Sequence, residues 1–147
     1  MGKNFIKVRS VKDIILSLSI ILVGVILVII SVSEGANMGG YALIILGAVL
    51  TIFLKSGYCD TATKKVYNKK EFLFAGEMRA SIVSALKSNP ELIKLSESGK
   101  GQVLKLIIFY SKSSGNAFVQ LYEYVPYEYK ACTDMYDFEI GKVSKLL

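Results

Sequence analysis

Apolar residues run almost unbroken from Ile14 to Leu54, and the run is interrupted once, by the polar, glycine-rich stretch SEGANMGG at residues 33–40. Before the break, residues 14–32 (IILSLSIILVGVILVIISV) carry no charge. At 1.5 Å per residue, a helix of about nineteen residues crosses the roughly 30 Å hydrocarbon layer of a bilayer. After the break, residues 41–54 (YALIILGAVLTIFL) reach about seventeen when the uncharged Met38, Gly39 and Gly40 are added, the lower edge of the spanning range. A surface helix of a soluble protein keeps a polar stripe, and neither run has one. The pattern predicts a membrane α-helical hairpin with two transmembrane helices, at about 14–32 and 38–54, and SEGANMGG as its short external turn.

Beyond residue 55 the periodicity changes. Residues 57–60 (GYCD) and 65–74 (KVYNKKEFLF) read as strands around a TATK turn, since aromatic and β-branched residues favour extension. Met78, Ile82, Ala85 and Leu86 then fall on one helical stripe, and Asn89-Pro90 reads as N-cap and first-turn proline of a short helix over 90–95. The nearly continuous apolar run at 103–110 predicts a central strand. A hairpin loop, SKSSGN, leads to a second strand over 117–125. Pro126 places the next stretch at an edge or bulge. YEYKAC and MYDFEI complete a β-β-α-α-β-β-β-β order, and the last alternates Tyr136, Phe138 and Ile140 against Asp137 and Glu139. Residues 56–147 thus predict a small α+β domain with an antiparallel sheet and helices on one face. No Pro-rich or Gly/Ser-rich linker separates it from the hairpin, which keeps the domain close to the bilayer.

Small residues suggest how the two spans pack. Ser17, Gly24 and Ser31 recur every seven residues in the first, as do Gly40 and Gly47 in the second. Antiparallel helices with Ser31 against Gly40 place Gly24 against Gly47 and Ser17 against Leu54. Such a seam lets backbones approach where lipid supplies no hydrophobic drive between helices. The spans at 14–32 and 38–54 contain no ionisable residue, the usual mark of an ion or proton path.

The chain carries 18 Lys and Arg against 12 Asp and Glu, a formal net charge of +6. Most of this excess flanks the apolar runs: Lys3, Lys7, Arg9 and Lys12 precede the first, and Lys55, Lys64, Lys65, Lys69 and Lys70 follow the second. By the positive-inside rule both termini are cytoplasmic, which places the protein in a membrane such as the bacterial inner membrane. Lys64, Lys65, Lys69 and Lys70 are candidates for contact with anionic lipid headgroups or a small anion. The basic start also suits a signal peptide, but a signal h-region runs 7 to 15 residues and here a second apolar run follows at once. Myristoylation after Met1-Gly2 would want Ser or Thr where Ile6 stands. Nucleic-acid binding is disfavoured, because Glu123 and Glu128 sit among the aromatics that would stack on bases.

Candidate chemistry is sparse. There is no His in the chain, which removes the commonest general base and the Ser-His and Cys-His pairs. SGKGQ lacks the Gly that a phosphate loop needs five positions before its Gly-Lys pair, where Lys94 stands. Ser111, Lys112 and Ser113 are adjacent on one loop and poorly placed as a Ser-Lys dyad. Cys59 and Cys132 have no zinc-motif spacing and, in a cytoplasmic domain, are expected as reduced thiols. No catalytic, cofactor or metal site is expected.

The residues point to a non-enzymatic, membrane-tethered interaction module. Its partners are the lipid bilayer and a protein, the latter contacted through the tyrosine-rich segment Tyr122, Tyr124, Tyr127 and Tyr129. The alternative is a membrane effector whose domain senses a small anionic ligand and drives oligomerisation of the hairpins into a homo-oligomer.

Overall fold

The structure, a computed structural model, describes residues 3–30 and 33–147. It divides into two compact units, Lys7–Tyr58 and a second made of Cys59–Leu147 with the N-terminal stretch ending at Ile6.

The first unit is two long apolar helices, α1 (Val11–Ile30) and α2 (Glu34–Phe53). Ser33 caps α2: its backbone is extended and its Oγ accepts from the Ala36 N–H at 3.4 Å. SEGANMGG is therefore not the turn that its composition predicts. It is the N-cap and opening turns of α2. A Ser N-cap followed by an acidic residue at the positive end of the helix offsets part of the cost of Gly35, Gly39 and Gly40, up to about 1 kcal/mol each.

Strands β1 (Phe5–Val8), β2 (Gly57–Asp60), β3 (Val66–Phe74), β4 (Leu104–Ser111), β5 (Asn116–Val125) and β6 (Glu128–Ala131) follow one another across a single sheet, and β7 (Tyr136–Glu139) pairs with β5. The ladders from β3 to β7 are antiparallel, with Phe72 opposite Leu106 and Leu106 opposite Leu121. Helix α3 (Arg79–Ser88) and a C-terminal 3-10 helix (Ile140–Leu146) cover one face. There Phe74, Leu104, Leu106, Ile108, Val119 and Leu121 meet Ile82 and Leu86 of α3, and Val143 and Leu146 of the 3-10 helix, in one core. Val143 and Leu146 stand three apart, which a helix of three residues per turn brings to one side.

Three local features differ from the sequence pattern. The expected helix over 90–95 is two 3-10 turns, Pro90–Leu92 and Leu95–Glu97, although Asn89 does cap the first by accepting from the Glu91 N–H at 3.0 Å. Pro126 lies in the β5–β6 turn rather than in a bulge, and the strand it leads into, β6, is an edge strand, as the proline requires. The basic N-terminal segment contains a strand.

That strand builds a second, aromatic core. In a flat sheet, β1 and β4 would stand about 14 Å apart, three strand spacings. Instead Phe5 stacks on Phe109 of β4 with centroids 4.0 Å apart, meets Tyr67 edge-on at 5.6 Å and reaches Phe118 of β5 at 6.1 Å. The sheet curls, and its first strand closes over the face away from α3. Tyr67, Phe109 and Phe118 are consequently buried.

Candidate functional site

The β5–β6 hairpin carries the four tyrosines. Tyr122 lies opposite Ala131, Tyr124 opposite Tyr129, and Val125 and Glu128 close the turn. Side chains alternate along a strand, so Tyr122, Tyr124 and Tyr129 share the sheet face that α3 does not cover. Glu123 points the other way and pairs with Arg79 of α3 at 3.1 Å.

Two of the four are tied into the sheet. The Tyr122 hydroxyl donates to Gln120 Oε1 at 2.9 Å, and Gln120 Nε2 donates to the Thr133 carbonyl at 2.9 Å. Burial pushes the Tyr122 phenol above its usual range, against the opposing charge of Lys69. The Tyr129 hydroxyl donates to the Gln102 carbonyl, while Lys105 Nζ lies 3.9 Å above its ring centroid. The other two face outward. Tyr124 is 50% exposed and meets Tyr129 edge-on at 5.2 Å, and Tyr127 is 97% exposed.

Tyr127 also has a positive φ of 76°. Proline fixes φ near −65° at Pro126, so the pair fits a type II turn, whose third position takes Gly or Asn for lack of a Cβ clash. A tyrosine there is held in a sparsely populated conformation.

The four candidate lysines do not converge. Lys64 and Lys65 are exposed in the β2–β3 turn, Lys64 with a φ of 58°. Lys69 and Lys70 are neighbours on β3 and so face opposite sides of the sheet; Lys69 pairs with Glu71 and lies 5.9 Å from the Phe109 ring centroid. The turn that carries Lys64 is organised by Asp60, which is fully buried. Its carboxylate accepts from the Ala62 N–H at 3.1 Å and Thr63 Oγ1 at 2.8 Å, and Lys3 Nζ stands 3.6 Å away. Burial raises the Asp60 pKa, but these bonds and the Lys3 charge outweigh it and hold the carboxyl below its usual range.

In the helical unit, Ser17 and Gly24 of α1 and Gly40 and Gly47 of α2 are buried, whereas Ser31 lies outside the described residues. A Cβ on Gly24 would stand 2.7 Å from the Gly40 carbonyl oxygen, and one on Gly47 would stand 2.5 Å from Ile21 Cγ1 and 3.0 Å from the Ser17 carbonyl oxygen. Gly24 thus faces Gly40, and Gly47 faces Ser17. The expected pairing of Gly24 with Gly47 and Ser17 with Leu54 is displaced by one seven-residue repeat, because α2 begins at Glu34 rather than at about residue 38.

One constellation was not anticipated. Ser10 and Asp13 form a reciprocal capping box at the start of α1: the Asp13 N–H donates to Ser10 Oγ at 3.2 Å, and the Ser10 N–H to Asp13 Oδ2 at 2.9 Å. The same carboxylate receives the Ser56 N–H at 2.8 Å and Ser56 Oγ at 2.6 Å, and the two serine hydroxyls lie 2.9 Å apart. Asp13, 4% exposed, therefore clasps the entry of the hairpin to its exit. The signal was present as Ser-x-x-Asp before an apolar run.

Cys59 and Cys132 are both free thiols. Burial, with Glu123 nearby, pushes the Cys132 thiol up against the pull of Arg79. Among the described residues, no three of His, Cys, Asp and Glu gather where a metal ion could be held. In comparisons with protein-family models, curated proteins and solved structures, the chain matches none.

Proposed function

We propose that the protein is a membrane-tethered, non-enzymatic interaction module: α1 and α2 cross the bilayer as a hairpin, both termini are cytoplasmic, and the α+β domain engages a protein partner. The membrane reading is supported by how little protein covers the helices. Each has 20 residues, and only 17% and 11% of their apolar windows are buried, whereas a core helix of a soluble protein would be mostly covered. Ile29, Ile45 and Phe53 are among the side chains left exposed. A hydrocarbon solvent suits that surface, and the small-residue seam suits helices packing within it.

The observation that carries the partner reading is Tyr124, whose half-exposed ring stands on the sheet face away from α3, edge-on to Tyr129. A rigid aromatic with a polar tip is the composition that interface cores favour. The diverging lysines lend less support to a small-anion sensor. The test is affinity capture of the full-length protein from crosslinked membranes. Tyr124→Ala should lose the captured protein while the domain keeps its melting temperature; unchanged capture would remove this face from the account.

A further inference from the structure

We infer that the tip of the β5–β6 hairpin, Val125-Pro126-Tyr127, is a second membrane contact, with the Tyr127 ring seated among lipid headgroups. The inference rests on the membrane reading above. It begins from a residue the fold does not use. At 97% exposure, the Tyr127 side chain packs on nothing, yet it occupies a turn position where Gly or Asn would relieve the backbone. A bulky residue held against local preference, with no contact inside the molecule, acts on something outside it.

The shape of the tip selects the occupant. A protein hot spot needs a rim of neighbours that excludes water from the central contact. Tyr127 is a lone knob beyond the last cross-strand pair, and a fluid interface needs no matching rim. Tyrosine is enriched at this level of the bilayer because its ring is apolar and its hydroxyl stays wet. The charges agree. Glu128 is neutralised by Lys130 at 2.9 Å and Glu123 by Arg79 on the other face, while Lys105 adds a cation beside the hairpin, so both acids of the β5–β6 hairpin are paired. With only Leu54, Lys55 and Ser56 between α2 and β2, the tether keeps the domain within reach of that surface.

The chain contains no Trp, which makes the test direct. Tyr127→Trp, in full-length protein reconstituted into vesicles of phosphatidylcholine and phosphatidylglycerol, places a single reporter at the tip. Phe53→Trp, on the exposed surface of α2, reports on the hairpin. The expected result is blue-shifted emission from position 127 that is quenched by lipids brominated near the headgroup. Water-like emission open to iodide at 127, with 53 quenched by brominated lipid, would overturn the tip contact and leave the hairpin standing. Blue-shifted emission at 127 without lipid quenching would assign the tip to protein and equally overturn it. Lack of lipid quenching at both positions would overturn the membrane reading itself.

Discussion

Gly39 and Gly40 are adjacent in α2, and the hairpin packing requires them to respond in opposite ways to the same added methyl. A Cβ at position 40 would lie 2.6 Å from Val28 Cγ2 and 2.8 Å from the Gly24 carbonyl oxygen, whereas one at position 39 meets nothing within 4 Å. The valine cannot easily turn aside, being stiff at χ1, and the carbonyl belongs to the α1 backbone. The helices must separate, and a gap of about 0.5 Å already forfeits a quarter or more of each dispersion contact along the seam. Overpacking of this kind costs about 1–3 kcal/mol. Gly39→Ala should instead gain up to about 1 kcal/mol from helix propensity. The propensity gain is common to both changes, so the two variants should differ by the overpacking term, about 1–3 kcal/mol, or roughly five- to over a hundredfold in the closed-to-open ratio. The assay is energy transfer between dyes on cysteines at positions 12 and 55, in a Cys59→Ser/Cys132→Ser background, as SDS is titrated into mild detergent. Gly40→Ala should lose transfer at lower SDS than wild type, and Gly39→Ala at equal or higher SDS. Coincident curves for the two variants would refute the seam.

Two further outcomes follow from the buried carboxylates. The Asp60 pKa is lowered on folding, so the stability it confers is complete above the unfolded carboxyl value of about 3.9 and is lost as pH falls below it. Acid titration of the domain by near-UV circular dichroism should lose part of its pH dependence in Asp60→Asn. Asp13→Ala strands the Ser10 and Ser56 N–H donors at the neck of the hairpin. It should cost about 1–3 kcal/mol in the SDS assay, with Asp13→Asn intermediate.

Where alternation or continuous apolarity was long enough, the sequence could be read directly. The strands at 66–74, 104–111 and 116–125 and the Ile82, Ala85, Leu86 stripe needed no tertiary knowledge. The errors lie where a local cap or a distant contact decides. SEGANMGG has the composition of a turn, but Ser33 used as an N-cap turns the same residues into helix, so that α2 begins at Glu34. The whole pairing of the small residues moves with it. β1 has four residues, Lys7 among them, and nothing in its pattern announces that Phe5 will be held by Phe109, more than a hundred positions away. The tyrosines were visible as a segment. That two are tied by their hydroxyls and two face outward depends on Gln102 and Gln120, which no spacing reveals.

The central claim is that the apolar helices form a membrane hairpin with the domain on the cytoplasmic side. Single cysteines at Glu34 and at Lys145, in the Cys59→Ser/Cys132→Ser background, report on its two ends. A membrane-impermeant maleimide should label Glu34→Cys in right-side-out vesicles and Lys145→Cys only in inverted ones. Recovery of the protein outside the membrane fraction, or labelling of Lys145→Cys from the outside, would contradict the account.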